Sequence, residues 1–171
     1  MDAPAMKSSS LYVLEPPGMI RYAQMSQQKS ESNVQQTVPL LNVSDIQESL
    51  RFYVDGLGFE MTHTWAPEGR LRWCWLQHGG AALMVQELPK SGPDSWNPGG
   101  RVGEGVSICF MCKDAIAIYR QMLDRNFKVS KPFVGNGLWV TSLSDPDGYR
   151  IDFESPTNLP EDTEYSEALP E

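Results

Sequence analysis

A chain that repeats its own landmarks at a fixed spacing has few folds open to it, and this sequence does so once. Asp45 and Asp114 are each placed to begin a helix, and they stand 69 residues apart. Leu41 and Phe110, each in the strand before its helix, are also 69 apart. Phe59 and Phe127, the aromatics after each helix, are separated by 68, as are the turn glycines Gly80 and Gly148. Four landmarks in register indicate two copies of one supersecondary unit.

In the first unit, Val38–Val43 reads as a strand, with Pro39 at its start or on an edge. Ser44-Asp-Ile-Gln47 has the form of a capping box, and Ile46, Leu50 and Tyr53 recur on one helical face. Gly56 is expected to stop this helix in a left-handed conformation. Strands follow over Phe59–Trp65, Leu71–Gln77 and Ala81–Glu87, giving β-α-β-β-β. In the second unit Val106–Cys112 is a strand and Asp114 caps a helix carrying Ile118, Met122 and Leu123. Asn126 ends that helix. Phe127–Lys131, Leu138–Leu143 and Tyr149–Phe153 complete the unit, the last two joined by Asp145-Pro-Asp-Gly148. The expected architecture is α+β: two tandem modules (37–87 and 106–155) joined by a Gly/Pro-rich linker over 88–105.

The segments outside 37–155 differ in kind. Residues 1–36 are rich in Ser, Gln and Pro, lack apolar periodicity and read as a loosely attached arm; Met25 is a candidate natural start. Residues 156–171 form an acidic tail. The net charge is -8, and the five acids of this tail supply most of it. An acidic chain without a basic stripe is not built for nucleic acid, and no apolar run reaches the roughly 20 residues of a bilayer crossing. Three cysteines in 171 residues do not make a disulfide framework, so free thiols and a cytoplasmic location are expected.

Val43-Ser-Asp45, Leu50-Arg-Phe-Tyr53, Gly56-Leu-Gly-Phe59 and the closing Ser144-Asp-Pro-Asp-Gly-Tyr-Arg-Ile-Asp-Phe153 resemble the vicinal oxygen chelate superfamily. That superfamily includes glyoxalase I, extradiol dioxygenases, and fosfomycin- and bleomycin-resistance proteins. The resemblance implies a curved mixed sheet with a concave ligand groove, helices on the outer side, and a homodimer. It also implies that catalytic members carry metal ligands on the first and last strands of each module. Those positions fall here on Val38, Met84, Ser107 and Asp152. Valine and methionine offer nothing to a hard or borderline divalent ion, and one carboxylate holds it weakly. No metal and no other cofactor is therefore expected.

Trp73 and Trp75 alternate with Cys74 and so share one face of a strand. With Trp139 on the matching strand of the second unit, and with Met84, Met111 and Asp152, they form a candidate groove for a flat aromatic or cationic ligand. His63 is expected on the helix side and His78 in a turn. Cys109 and Cys112, although spaced C-x-x-C, face opposite sides of a strand and read as core. The reading closest to these residues is a metal-free binder similar to bleomycin-resistance proteins, which sequesters a small molecule. A metal-dependent lyase, isomerase or dioxygenase with an atypical ligand set around Asp152 is the first alternative, and a non-catalytic interaction module the second.

Overall fold

The computed structural model describes residues 33–93, 95–99 and 102–167; most of the N-terminal arm, 1–32, lies outside them. Two four-stranded mixed sheets form, one from each module. In module 1, β1 (Leu40–Val43) runs parallel to β4 (Ala81–Glu87), which pairs antiparallel with β3 (Trp73–His78), and β3 with β2 (Glu60–Trp65). Module 2 repeats this with β5 (Ser107–Met111), β8 (Arg150–Pro156), β7 (Leu138–Ser144) and β6 (Phe133–Gly135). The strand anticipated over Phe127–Lys131 is displaced to β6, and only Val129 makes an isolated bridge, to Leu143.

The duplication extends to the helix starts. α1 (Ile46–Leu50) is capped by Asp45 rather than Ser44: the Asp45 carboxylate accepts from the amides of Gln47 and Glu48. Asp114 caps α2 (Ala115–Asp124) through the Ala117 amide. The first amide of each helix is bound from the last strand of its module, Ile46 N–H donating to Glu87 and Ala115 N–H to Ser155. These side chains satisfy donors that a helix terminus leaves orphaned.

α1 continues over Arg51–Gly56 as a wider π turn, with the Leu57 amide donating to the Phe52 carbonyl five residues back. Gly56 is not left-handed; that role belongs to Gly58, with φ 79°, whose counterpart 68 residues on is Asn126 at φ 59°. Gly56 is required for space instead, because a Cβ there would lie 2.3 Å from the Phe127 ring.

One apolar cluster joins the modules. It contains Leu41, Leu76, Leu83 and Val85 from the first sheet and Ile108, Phe110, Ile151 and Phe153 from the second, with Phe52 and Tyr53 between them. The rings of Phe59 and Phe110 sit edge to face at 5.5 Å. Polar bonds register the two halves. Tyr53 donates to the Asp145 carboxylate at 3.0 Å, the Ser44 amide to Asp147 at 3.0 Å, and the Tyr149 hydroxyl to the Asn42 carbonyl at 3.0 Å. Burial, then the Asp145 charge, pushes the Tyr53 phenol well above its ordinary range, so it stays a donor.

Residues 156–167 are not loose. The Asp162 amide donates to the Val134 carbonyl, and the Val134 and Tyr165 amides donate to the carbonyls of Thr163 and Pro132. Glu161 accepts from the amides of Asn136 and Gly137. The acidic segment is thus a strap along β6. No helix among the described residues is long and apolar enough to cross a membrane.

The Tyr53→Phe variant should lose about 1–3 kcal/mol of stability, the cost of leaving a buried acceptor short of its donor. Urea unfolding of the full chain, followed by near-ultraviolet circular dichroism, measures this.

Candidate functional site

Because one face of each sheet is committed to the shared core, the other face is open, and pairing register fixes what it carries. In an antiparallel or parallel ladder, residues directly opposite share a face. On the first sheet, Leu40, Met84, Trp75 and His63 form one cross-strand row. Asn42, Gln86, Trp73 and Trp65 form the next. Trp65 is 58% exposed and Leu40 47%.

His63 stands on this face and not on the helix side. The register slips between Met61 and His63, and such a bulge inserts one residue and reverses the alternation beyond it. The same slip brings Trp65 opposite Trp73, so a third indole that the sequence reading left out joins the two it selected. The His63 and Trp75 rings lie edge to face at 6.3 Å. His78 sits at the end of β3, its ring 5.3 Å from Phe59.

The open face of the second sheet has a different chemistry. Its rows are Ser107, Arg150 and Ser144; then Cys109, Asp152 and Ser142; then Met111, Glu154 and Val140. Asp152 is buried and accepts from Ser142 Oγ at 2.5 Å and Arg150 Nε at 2.9 Å. Arg150 Nη2 also donates to Ser142 Oγ. Cys109, expected in the core, faces outward beside them; Cys112 packs against the inner clusters.

Trp139 departs from the expected groove. It pairs with Ser155 and Val134 on the helix side of the sheet, packed with Ala115 and Tyr165. The open-face seats matching Trp73 and Trp75 are occupied by Val140 and Ser142, one residue from those anticipated. A one-residue slip in a strand exchanges faces.

Of the four positions where the resemblance places metal ligands, Val38 and Met84 have no suitable donor and Asp152 is already held by Arg150 and Ser142. This donor set does not fit a catalytic divalent ion. A different cluster, Cys109, Asp152 and Glu154, brings its donor atoms within 4.8 Å of one another. Partial desolvation pushes the Cys109 thiol up to about 11, with hydrogen bonding and charge from Glu154 and then Asp152 adding to it. A protonated thiol is a poor ligand.

Residues 34–153 match the Glyoxalase/Bleomycin resistance protein/Dioxygenase superfamily, and the chain belongs to it. A lactoylglutathione lyase of Haemophilus influenzae is 27% identical over 120 residues, spanning 67% of this chain and 87% of the lyase. A bleomycin resistance determinant encoded on the transposon Tn5 is similar in structure, with TM-score 0.56 and 24% identity over 74% of this chain and all of the other. TnmS3, an antibiotic binding protein from Streptomyces sp. CB03234, gives TM-score 0.54 and 22% identity over 71% of this chain and 97% of its own. At these identities the structural likeness establishes the fold.

The thiol chemistry is open to direct test. Cys109 should react slowly with iodoacetamide at pH 8, its rate rising toward pH 11 as thiolate forms. Glu154→Gln removes a group that raises the thiol pKa, so the rate at pH 8 should increase. Mass spectrometry of the labelled peptide follows both.

Proposed function

We propose that this chain is a metal-free small-molecule binder that sequesters an aromatic or drug-like ligand on its open sheet faces. The observation that carries this reading is two adjacent cross-strand rows, one with Met84, Trp75 and His63 and the next with Trp73 and Trp65, in a chain whose family metal positions hold Val38, Met84 and Ser107. Indoles offer large apolar area and ring stacking worth roughly 0.5–1.5 kcal/mol beyond area burial; methionine adapts to irregular shapes. An antibiotic is the ligand class in keeping with the likeness to TnmS3, an antibiotic binding protein.

The open faces of one chain point away from each other, since their inner faces share a core. Enclosing a ligand therefore takes a second copy. In a homodimer, the aromatic face of module 1 in one protomer would stand across from the module 2 face of its partner. That second wall carries Asp152 and Glu154, which suit a cationic group on an aromatic ligand, while Met111 would meet its apolar part. A cytoplasmic protector that holds its ligand without altering a covalent bond fits this arrangement.

Titration with a ligand panel that includes bleomycin-type glycopeptides should quench tryptophan emission saturably. Trp73→Ala and Trp75→Ala should each weaken binding about tenfold, or about 1.4 kcal/mol, with sedimentation velocity reporting a dimer. Silent titrations across the panel would favour the interaction module.

The Cys109, Asp152 and Glu154 cluster gives the enzyme alternative one specific support. It requires stoichiometric divalent metal in the purified protein and its loss in Asp152→Asn. Elemental analysis showing metal-free protein that still binds its ligand decides for sequestration.

A further inference from the structure

Among the asparagines of the sequence, Asn136 alone is followed by glycine. The pair forms the tight loop between β6 and β7, closed by the pairing of Gly135 with Leu138. Asn136 and Gly137 are both left-handed, at φ 55° and 73°, as a hairpin turn that follows the strand twist requires. Asparagine tolerates that conformation and glycine favours it. Asn136 is exposed.

The strap grips this loop on both sides. Glu161 accepts from the amides of Asn136 at 2.9 Å and Gly137 at 2.7 Å, and the Thr157 amide donates to the Gly137 carbonyl at 3.0 Å. Backbone bonds fasten the strap beside the loop, the Asp162 amide donating to the Val134 carbonyl and the Val134 amide to that of Thr163. Glu161 thus reaches the loop only while the strap lies along β6.

An asparagine before glycine carries a reaction of its own. The Gly137 nitrogen gives its proton to hydroxide and bonds to Asn136 Cγ. The bond from Cγ to the side-chain nitrogen breaks, and that nitrogen takes a proton from water and leaves as ammonia. Water then opens the five-membered imide. Opening at Cγ gives aspartate, and opening at the backbone carbonyl gives isoaspartate, whose main chain runs through the former side chain. Lacking a Cβ, Gly137 offers little obstruction to ring closure. The first step needs the very proton that Glu161 holds, and a carboxylate beside the nitrogen disfavours a second negative charge there.

We infer that Asn136 is a site of spontaneous deamidation guarded by Glu161: the docked strap preserves the amide, and a lifted strap commits it to aspartate or isoaspartate. The change runs one way. Either product puts a new carboxylate in the loop that Glu161 must rejoin, and isoaspartate also lengthens the turn, so the strap redocks less well. The site is independent of the open-face reading.

The test ages the full chain in buffer at pH 8 and follows the Asn136 peptide by mass spectrometry, with chromatography separating aspartate from isoaspartate. Near-ultraviolet circular dichroism confirms that each variant is folded. Glu161→Ala should speed deamidation about tenfold, as loss of a charged hydrogen-bond acceptor allows. Glu161→Gln, which keeps an acceptor, should fall between. Tyr53→Phe weakens the core and not the strap, so it should leave the rate unchanged. Asn136→Asp, standing in for one product, should speed hydrogen exchange at the Val134 and Tyr165 amides. Equal rates in the intact chain and Glu161→Ala would overturn the inference. So would equal acceleration by Tyr53→Phe, which marks global unfolding as the route, or unchanged exchange in Asn136→Asp.

Discussion

The commitment of one face of each sheet to a single shared core governs the rest of the molecule. Leu76, Val85, Phe110 and Ile151 cannot serve that core and also line a groove. Every functional side chain is therefore assigned by parity along its strand. The polar bonds from Tyr53 to Asp145 and from Tyr149 to Asn42 hold the modules in one register. Without them the apolar cluster would still favour contact between the halves, but it would define their relative orientation less sharply, since hydrophobic burial is non-directional.

Within that constraint the two modules have diverged in what their free faces carry. Module 1 places indoles and methionine where module 2 places Val140, Ser142 and Asp152. The pairing rows make this a position-by-position exchange: Met84 sits where Asp152 does in the other copy, and Trp75 where Ser142 does. The helix-capping machinery has not diverged in role, since Asp45 and Asp114 cap alike and Glu87 and Ser155 both bind a first helical amide. Duplication preserved what folds the unit and released what faces the ligand.

Much of this was legible in the sequence because the signals were local and repeated. Asp45 and Asp114, the β-α-β-β-β order and the shared face of Trp73 and Trp75 needed only periodicity and capping chemistry. The misplacements share a cause. His63 and Trp65 depended on a bulge at Thr62, which alternation alone does not reveal. Trp139 depended on a register one residue from that implied by subtracting 68 or 69. Cys109 looked like core because its apolar surroundings in sequence do not disclose that Asp152 and Glu154 lie across from it. The strap over 156–167 was read from its charge, while its order comes from backbone pairing with β6 and from Glu161 binding two loop amides.

That strap also bears on how the molecule avoids joining others indiscriminately. A sheet's last strand offers unsatisfied amides and carbonyls to any passing chain. On module 2 the protein occupies that strand itself, through Thr163 and Tyr165. On module 1 the edge strand in the matching position is β2, wholly exposed, polar in Glu60, Thr62 and Thr64, and bent by its bulge. One half is guarded by a covering segment and the other by an irregular, bulged rim, so fibre-like growth by strand addition is discouraged at both of these ends by different means.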